Sequence, residues 1–459
     1  MTRVAARFVG CKVSQADGDE ALAGLAAAGL ETVAAREAAD VVVVHTCCVT
    51  AEAERKSRRL VRRSAAGGRR VVVAGCAAAL HPEQFEGDGV TVAVRPDWSC
   101  MADELRGAVV AATGVEARAM VCAGTGAIGS AADGAEDGTM YGATDGAADG
   151  ATPRRHYLSP GRASGTAYPA TPGTRTRLVL KVQDGCAGVC AYCVVRLVRG
   201  EPRSVPLEEA RAAARTGLAR GCGEVVLSGI DLGAWRDGDV CLPGLLAAIA
   251  GLDGLRRVRL SSVEPRHVDG QLLELLEHPR VARHVHVPLQ SADDGVLHAM
   301  RRPYTFAEYL RAVEPLQGVP GGAMLSTDVI VGYPTEDEAA FAHTLEALES
   351  GLFGRAHVFA FSARPGTAAA ELPPLPAAVV KERMRRALAA AEAAALAARR
   401  AAVGRAAEVL VEERRDGLWR GYSSEYIRYT LRGAARRGDL VRVVADEVTG
   451  DGATGSVTE

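Results

Sequence analysis

The sequence has no strong excess of charge of either sign and no stretch typical of a secretion signal or a membrane span. Its 54 Lys and Arg residues nearly balance its 56 Asp and Glu residues, so the formal net charge is -2. No field of the whole protein therefore draws it to nucleic acid, and any such binding needs a local basic face. No apolar signal region precedes Gln15, and no charge-free run approaches the ~18 residues that a membrane span needs. We expect a cytoplasmic protein with no membrane partner.

The chain also lacks the even number of cysteines that a complete disulfide framework would have, because it contains 11 Cys among 459 residues. In a reducing cytosol, such cysteines are better explained as metal ligands or buried thiols. At roughly 150 residues per domain, the length indicates about three domains. The spacing of the cysteines within these domains is therefore the most informative feature.

Residues 1–120 alternate short β-branched runs with alanine-rich stretches. This rhythm predicts an open parallel α/β sheet covered by helices. The predicted strands are residues 7–10, 41–44 and 71–74, and the predicted helices are residues 20–28 and 51–63.

A cysteine follows each of these three strands within three residues: Cys11, Cys47 and Cys76. The carboxyl ends of strands in an open parallel sheet form a crevice where ligands bind, so the three thiols can converge there. One cysteine in such a place is better explained as a small apolar filler, but three in register favour a shared ligand. Cys48 is the alternative to Cys47, and adjacent side chains point to opposite sides, so we assign only Cys47 to the crevice.

Residues 121–174 are predicted to be a flexible, low-complexity linker. Within residues 123–152 there are 8 Gly, 9 Ala and five acidic residues, with no Lys or Arg. Such a segment cannot offset its ordering entropy by burying apolar side chains.

Residues 175–403 resume the strand–helix rhythm and predict a partial (βα)6 barrel with a trailing helix at residues 379–403. The six predicted strands are residues 178–182, 224–227, 257–260, 284–287, 326–331 and 357–361. Residues 404–459 contain short strands and glycine-containing turns, which predict a small β-barrel. The predicted strands there are residues 407–412, 422–424, 429–431 and 440–444.

Cys186, Cys190 and Cys193 form a C-x3-C-x2-C pattern directly after the first strand of this central region. Thiolates suit iron–sulfur clusters, and a four-iron cubane normally takes four cysteines, so three leave one iron open. A structural zinc site is the alternative, but it needs four ligands, and the sequence has no second cysteine pair or nearby histidine at suitable spacing. The pattern therefore predicts a cluster with one open position.

This pattern, with Tyr192 before its last cysteine, resembles the radical S-adenosylmethionine superfamily. The resemblance implies that S-adenosylmethionine chelates the open iron through its amino and carboxylate groups. It also implies that one electron from the cluster cleaves a carbon–sulfur bond to give a 5′-deoxyadenosyl radical, while the protein positions the cofactor.

Further motifs resemble the methylthiotransferase family within that superfamily, in the family's order. They lie at residues 8–15, 45–50, 74–76, 260–265, 287–291, 328–334 and 364–367. Residues 404–459 are similar to the family's RNA-binding barrel, the TRAM domain. Within the family, residues 10–13, 228–233 and 260–265 are most similar to the enzymes that modify N6-threonylcarbamoyladenosine in tRNA.

The family resemblance implies two 4Fe–4S clusters and no catalytic side chain beyond their ligands. The ligand sets are Cys11, Cys47 and Cys76, and Cys186, Cys190 and Cys193. Carbon 2 of adenine carries a hydrogen that neither a general base nor a nucleophile readily displaces, so a radical route is needed. By resemblance, the N-terminal cluster holds a sulfur that one S-adenosylmethionine methylates, and a second molecule at the other cluster supplies the radical.

Five residues at predicted strand ends are candidates for contact with cofactor or substrate: Ser228, Gly229, Ser261, Glu264 and Gln290. In related barrels, backbone carbonyls at the end of the second strand hold the methionine amino group, and the resemblance carries this role to Ser228 and Gly229. The alternative for all five is an ordinary turn or loop hydrogen bond.

A local basic region favours RNA as a partner. Residues 381–442 hold 15 Lys and Arg against 8 Asp and Glu. Tyr422, Tyr426 and Tyr429 are interleaved with arginines, which suits phosphate contact together with stacking on unpaired bases. A solvated helix face is the alternative for residues 383–400. The expected partners are a tRNA anticodon stem-loop and an unidentified reductant.

The sequence thus predicts methylthiolation of carbon 2 of N6-threonylcarbamoyladenosine at position 37 in tRNA. The threonylcarbamoyl group is charged, and four arginines near the predicted barrel mouth suit it: Arg196, Arg199, Arg266 and Arg364. The alternatives are a relative that acts on isopentenyladenosine in tRNA, one that acts on a ribosomal protein aspartate, and a noncatalytic iron–sulfur protein that binds RNA.

Overall fold

The computed structural model describes residues 2–27, 29–33, 39–93, 107–109 and 175–458, which form three units. The predicted linker at residues 121–174 lies outside the described residues. Within the described part of the chain, no helix combines the length and the apolar character that crossing a membrane requires.

The N-terminal unit is an α/β unit built on one parallel sheet. Its elements are β1 (Arg3–Phe8), α1 (Lys12–Ala27), β2 (Glu31–Val33), β3 (Val41–Thr46), α2 (Ala51–Ala65), β4 (Arg70–Gly75), α3 (Cys76–Leu80) and β5 (Val90–Val92). The five strands are parallel in the order β2-β1-β3-β4-β5. All residues of β3 are buried, as expected for a parallel strand covered on both faces. The prediction of an open parallel α/β sheet is confirmed.

Two boundaries of this unit differ from the prediction. β1 ends at Phe8, and α1 begins at Lys12 rather than near residue 20. The reason is that α1 carries buried acidic side chains at Asp17 and Asp19, which interrupt the apolar stripe that marks a helix. Asp17 forms an ion pair with Lys181 of the central unit, so α1 packs against that unit through a polar face.

The central unit contains six parallel strands in two sheets. Its elements are β6 (Arg177–Lys181), β7 (Gln183–Asp184), α4 (Val195–Arg199), β8 (Arg203–Ser204), α5 (Leu207–Ala219), β9 (Glu224–Ser228), β10 (Arg236–Asp237), β11 (Val240–Cys241), α6 (Leu242–Ala250), β12 (Arg257–Leu260), α7 (Gly270–Leu276), β13 (His284–His286), α8 (Asp294–Ala299), α9 (Phe306–Val313), β14 (Met324–Val331), α10 (Glu338–Glu349), β15 (Arg355–Ala360) and α11 (Ala377–Ala401). The sheet orders are β12-β9-β6 and β13-β14-β15. Isolated parallel bridges, one between Ser262 and His286, connect β12 to β13. All six predicted strands are found within two residues of their expected positions.

Side chains along these strands alternate between an apolar core and a polar interior. Leu178, Val225 and Val258 join the large apolar core. Their neighbours include Glu224 and Arg259, which are buried and charged and point to the other face of the strands. The six strands therefore enclose a polar interior whose carboxyl-terminal end is available for a site.

The C-terminal unit is a closed five-stranded barrel in the order β16-β17-β18-β20-β19. Its strands are β16 (Ala406–Arg415), β17 (Leu418–Ser423), β18 (Arg428–Arg432), β19 (Leu440–Thr449) and β20 (Gly452–Val457). Val409, Leu431 and Val443 are in its small core. The prediction of a small β-barrel is confirmed, but β20 was missed because glycine, threonine and serine give it little apolar alternation.

Candidate functional site

The three N-terminal cysteines lie at the carboxyl ends of adjacent strands. Cys11 follows β1, Cys47 follows β3 and Cys76 follows β4, and these three strands are neighbours in the sheet. Cys47 and Cys76 are buried, and Cys11 is exposed. Gly75 has φ 99°, and a Cβ there would lie 2.5 Å from the carbonyl oxygen of Thr46, so only glycine fits before Cys76. The fold thus brings the predicted triad to one edge of the sheet.

The buried thiols of this triad differ in their surroundings. Burial raises the pKa of Cys47 to about 12. A hydrogen bond from the Cys48 thiol lowers the pKa of Cys76 to about 7, and Arg199 adds to this effect against the opposing effect of burial. Cys48 therefore lies beside Cys76, and the choice of Cys47 over Cys48 as ligand stays a prediction.

The guanidinium of Arg199 connects this triad to the central unit. Its Nη2 donates to Sγ of Cys76 at 3.3 Å and to Oδ2 of Asp17 at 2.6 Å, and its Nη1 donates to Oδ2 of Asp184 at 3.1 Å. Burial disfavours the charged form of Asp17, but Arg199 and Lys181 outweigh it and hold the pKa of that carboxyl below its usual range. This role of Arg199 has no signal in the sequence, because its partners are remote in the chain.

The second triad lies in the loop between β7 and α4. The backbone N–H of Gly188 donates to Sγ of Cys186 at 3.2 Å, and that of Cys193 donates to the carbonyl of Cys190 at 3.1 Å. Burial raises the pKa of Cys186 and raises that of Cys193 to about 11. These thiols therefore need a bound cation or a base to become thiolates at neutral pH.

Arg302 stands beside the second triad as Arg199 stands beside the first. Its Nη1 donates to Sγ of Cys190 at 3.3 Å, its Nη2 pairs with the carboxylate of Glu264, and its Nε donates to the hydroxyl of Tyr304 at 3.0 Å. The Arg302 side chain is buried. Glu264, a candidate from the sequence, is therefore fixed next to this triad, whereas Arg302 had no signal in the sequence.

The other four candidates lie at the carboxyl ends of neighbouring strands. Ser228 ends β9, Ser261 follows β12, and Gln290 follows β13 with φ 69°. The hydroxyls of Ser228 and Ser261 are buried and have no hydrogen-bond partner among the described residues. An unsatisfied buried hydroxyl costs about 1–3 kcal/mol, which a polar ligand would remove. A Cβ on Gly229 would lie 2.9 Å from the side chain of Gln183, so the backbone there is closely packed.

These donor sets fit the groups that the sequence predicts. Each triad offers three thiols with an arginine hydrogen bond to one sulfur, and hydrogen bonds to sulfur are one of the factors that set the reduction potential of a cluster. The unpartnered hydroxyls of Ser228 and Ser261 suit the polar amino acid part of S-adenosylmethionine. The thiol donors are therefore of the chemical type that iron–sulfur clusters take, and the strand ends offer hydroxyls of the type that a polar cofactor group takes.

The tyrosines that we expected to stack on RNA bases instead contact other parts of the protein. Tyr429 is buried in the terminal barrel. The ring of Tyr426 stacks on His284 of the central unit at 5.0 Å and on Tyr422 at 5.1 Å between centroids. The guanidinium of Arg259 lies 4.6 Å from the centroid of the same ring. The prediction that they stack on RNA bases is therefore wrong for Tyr426 and Tyr429. Tyr426 packs between the terminal barrel and the central unit, and Tyr429 packs inside the terminal barrel.

The four arginines that we expected to serve a charged substrate are paired with carboxylates. Arg364 is buried and its Nη2 lies 2.5 Å from Oε2 of Glu54 on α2. The other pairs are Arg199 with Asp17 and Asp184, Arg266 with Asp231, and Arg196 with Glu201. Arg199 and Arg364 therefore hold the N-terminal and central units together, and the prediction that they serve a charged substrate is wrong for both.

Comparisons with protein-family models assign two regions of the chain. The model described as "Radical SAM superfamily" matches residues 180–348, which contain the second triad and Arg302. This chain contains a radical SAM domain. The model described as "Uncharacterized protein family UPF0004" matches residues 3–94, which contain the first triad.

Curated relatives of this chain include two kinds of tRNA-modifying enzyme. It is 38% identical over 268 residues to the tRNA-2-methylthio-N(6)-dimethylallyladenosine synthase of Cereibacter sphaeroides, covering 58% of this chain and 62% of that protein. It is 34% identical over 279 residues to the threonylcarbamoyladenosine tRNA methylthiotransferase MtaB of Thermotoga maritima, covering 60% and 64%. The MtaB of Treponema pallidum is 41% identical over 194 residues, covering 42% and 40%. The chain thus matches less than two thirds of the length of these relatives.

Among solved structures, this chain is similar to TsrM from Kitasatospora setae, a radical S-adenosylmethionine methyltransferase. The match has a TM-score of 0.54 at 14% identity and covers 80% of this chain and 74% of that one. At this identity, the likeness supports the fold alone.

Proposed function

We propose that this protein is a tRNA methylthiotransferase that adds a methylthio group to carbon 2 of N6-threonylcarbamoyladenosine at position 37. One observation carries the proposal: Arg199 links the first cysteine triad to the segment that leads into the second. That side chain contacts Cys76 of the first triad and Asp184, which lies two residues before Cys186 of the second. Replacement of an unreactive hydrogen by sulfur needs a radical source and a sulfur source, and one chain offers a site for each.

In this proposal, the domains are residues 1–120 as the methylthiotransferase N-terminal domain, 175–403 as the radical SAM barrel with its trailing helix, and 404–459 as a TRAM domain. The bridges between β12 and β13 support one partial (βα)6 barrel rather than two separate sheets. The closed five-stranded barrel supports the TRAM assignment.

Each triad holds one 4Fe–4S cluster in this scheme, and a cluster with bound S-adenosylmethionine supplies a radical able to remove the hydrogen on carbon 2. Ser228 and Ser261 offer their unpartnered hydroxyls to the polar groups of the cofactor. Arg302 holds the Glu264 carboxylate beside Cys190, where it can accept a hydrogen bond from an ammonium group. Arg199 orients Cys76 and keeps the two units in a fixed relation.

The polar interior supports the threonylcarbamoyl substrate over the isopentenyl one. Asp328, His357 and Arg355 are charged or imidazole side chains on β14 and β15, and they can hydrogen-bond a urea, a hydroxyl or a carboxylate. A site built to hydrogen-bond its substrate discriminates against an apolar analogue by a factor on the order of 10^4. The MtaB relatives agree with this choice, whereas relatives named for dimethylallyladenosine make that nucleoside the second candidate.

The expected macromolecular partner is the tRNA anticodon stem-loop. Since two of the three tyrosines are occupied inside the protein, exposed arginines of the terminal barrel, such as Arg415, Arg432 and Arg436, are better candidates for phosphate contact. Binding through phosphates is expected to weaken steeply as salt rises.

The decisive experiment incubates anaerobically reconstituted protein, S-adenosylmethionine and a reductant with anticodon stem-loops. One stem-loop carries threonylcarbamoyladenosine, one carries isopentenyladenosine, and one carries adenosine, and mass spectrometry of nucleosides follows the product. We expect conversion of the first alone. Turnover of the isopentenyl form alone would reverse the substrate assignment. Cofactor cleavage without RNA product would point to a protein substrate such as a ribosomal aspartate, and absence of cleavage would indicate a noncatalytic protein.

A further inference from the structure

Three inner side chains of the central unit, His286, Asp328 and His357, form a compact ligand set that includes neither cysteine triad. Nε2 of His286 lies 3.3 Å from Oδ2 of Asp328, and Nδ1 of His357 lies 3.0 Å from Oδ1 of Asp328. The three ligand atoms all lie within 4.8 Å of one another. Within the described ranges, this is the one group of three His, Cys, Asp or Glu residues so close together.

Three neighbouring parallel strands hold this set rigidly. His286 is on β13, Asp328 on β14 and His357 on β15. Asp328 is the direct register partner of His357, and His286 is the register partner of Ser326, which is two residues before Asp328 on the same face. Backbone pairing therefore fixes the spacing of the ligands, as a preorganised metal site requires.

The surroundings orient the buried member of the set. Nδ1 of His286 hydrogen-bonds Oγ of Ser326 at 2.9 Å, and the same hydroxyl contacts Nε2 of His284 at 2.8 Å. A metal-ligating histidine typically uses its second ring nitrogen in such a bond, which fixes the ring and its tautomer. His357 and Asp328 are partly exposed, with side-chain exposures of 41% and 27%, so an ion can enter from their side.

We propose that His286, Asp328 and His357 bind one divalent transition metal ion of the Zn²⁺ or Fe²⁺ class. Two imidazoles and one carboxylate are a common donor set for such ions, and three protein ligands leave a position open for water or another oxygen ligand. The inference uses none of the residues assigned to the clusters. It does use Asp328 and His357, which the proposed function places beside the substrate, so zinc binding is measured with no RNA present and its failure is distinct from a failure of methylthio transfer.

The donor atoms of the set select the kind of ion. The set offers two imidazoles and only one carboxylate. A hard ion such as Mg²⁺ or Ca²⁺ is held mainly by several oxygen ligands, so this donor set disfavours it. An ion bound through imidazole nitrogen depends less on charge and is therefore favoured.

The test uses the full chain with both clusters loaded, incubated anaerobically with excess zinc chloride and then desalted. We expect one retained zinc per chain with unchanged iron content. X-ray absorption should show nitrogen and oxygen at about 2.0–2.1 Å and no sulfur at about 2.3 Å. Asp328→Asn and His357→Ala should each weaken zinc binding by about 100-fold, since even outer-sphere changes cost about 10–100-fold.

A matched control is His343→Ala, which removes another histidine–aspartate contact, Nδ1 to Oδ2 of Asp293 at 3.0 Å. It should retain zinc as the unsubstituted protein does. Equal iron content and melting temperature in all variants show that the fold is intact. The proposal is overturned if the unsubstituted protein retains no zinc, if all variants retain it equally, or if sulfur is found among the zinc ligands.

Discussion

The guanidinium of Arg199 lies 3.3 Å from Sγ of Cys76, although Arg199 belongs to the helix that follows the other cysteine triad. Asp17 and Asp184, which come from two different units, hold the guanidinium there. The environment of the N-terminal triad is therefore completed by a residue of the central unit, and neither unit alone reproduces it.

Replacing Arg199 should be costly. Arg199→Met leaves Asp17 and Asp184 buried without their cation, and removing one member of a buried ion-pair network typically costs about 3–5 kcal/mol of unfolding free energy. Arg196→Met is the matched control on the same helix, because Arg196 is exposed and its pair with Glu201 contributes about 0–1 kcal/mol. Denaturant unfolding of both variants measures the difference. Equal losses would contradict the role assigned to Arg199.

The two triads should be separable by iron content and by product. Reconstituted protein is expected to hold about eight irons, as two four-iron clusters require, and replacing Cys186, Cys190 and Cys193 by alanine should leave about half. Replacing Cys11, Cys47 and Cys76 should abolish methylthio transfer but preserve formation of 5′-deoxyadenosine, which needs only the other site. Stoichiometric zinc without sulfide, or normal transfer by the second variant, would refute the assignment.

Glu224 should make stability depend on pH in the acid range. It lies buried between Arg257 and Arg259, with its carboxylate 2.5 Å and 3.3 Å from their Nε atoms. Burial acts to raise its pKa, but the two guanidiniums outweigh burial and lower it from 4.5 to about 2. Because the folded-state pKa is the lower one, the stabilisation is complete above about pH 4.5 and is lost as pH falls towards about 2.

Glu224→Gln tests this dependence. At neutral pH the variant should lose about 3–5 kcal/mol, because two buried guanidiniums lose their carboxylate. The gap between the variant and the unsubstituted protein should narrow in urea unfolding as pH falls below about 4.5. Glu382→Gln, at an exposed helix position, should leave unfolding nearly unchanged. A gap that is constant or widens with acid would show that Glu224 is not ionised in the fold.

Tyr426 should hold the terminal barrel against the central unit. Tyr426→Ala removes its stack on His284 and its contact with Arg259, and truncation of a packed aromatic ring costs about 3 kcal/mol. Tyr426→Phe keeps the ring and should stay close to the original protein. Limited proteolysis between α11 and β16 should therefore be faster for the alanine variant. Unchanged cleavage would show that other contacts determine the docking.

The sequence was sufficient for features that are local. The triad at residues 186–193 has fixed spacing, and a cysteine comes three residues after the last valine of each valine run, in β3 and in β4. These patterns follow from strand geometry and ligand chemistry, so the fold keeps them where they were predicted.

Contacts between residues far apart in the chain could not be predicted from the sequence. Arg199 and Cys76 are 123 residues apart, and Arg302 and Cys190 are 112 apart. No periodicity connects such positions, and only the fold brings them together. The interleaved tyrosines and arginines led to a wrong prediction of stacking on RNA bases for a related reason. Cation–π packing between two protein units uses the same residue types as stacking on RNA.

The position of α1 beside β6 determines how a fragment that lacks the N-terminal unit should behave. β6 is the last strand of its sheet, and α1 lies against it, with Asp17 paired to Lys181. A strand at a sheet margin presents a row of backbone donors and acceptors that can recruit a strand from another molecule. A fragment that starts at residue 175 would uncover that row, so we expect it to self-associate in concentrated solution, whereas the intact chain shields it with its own helix.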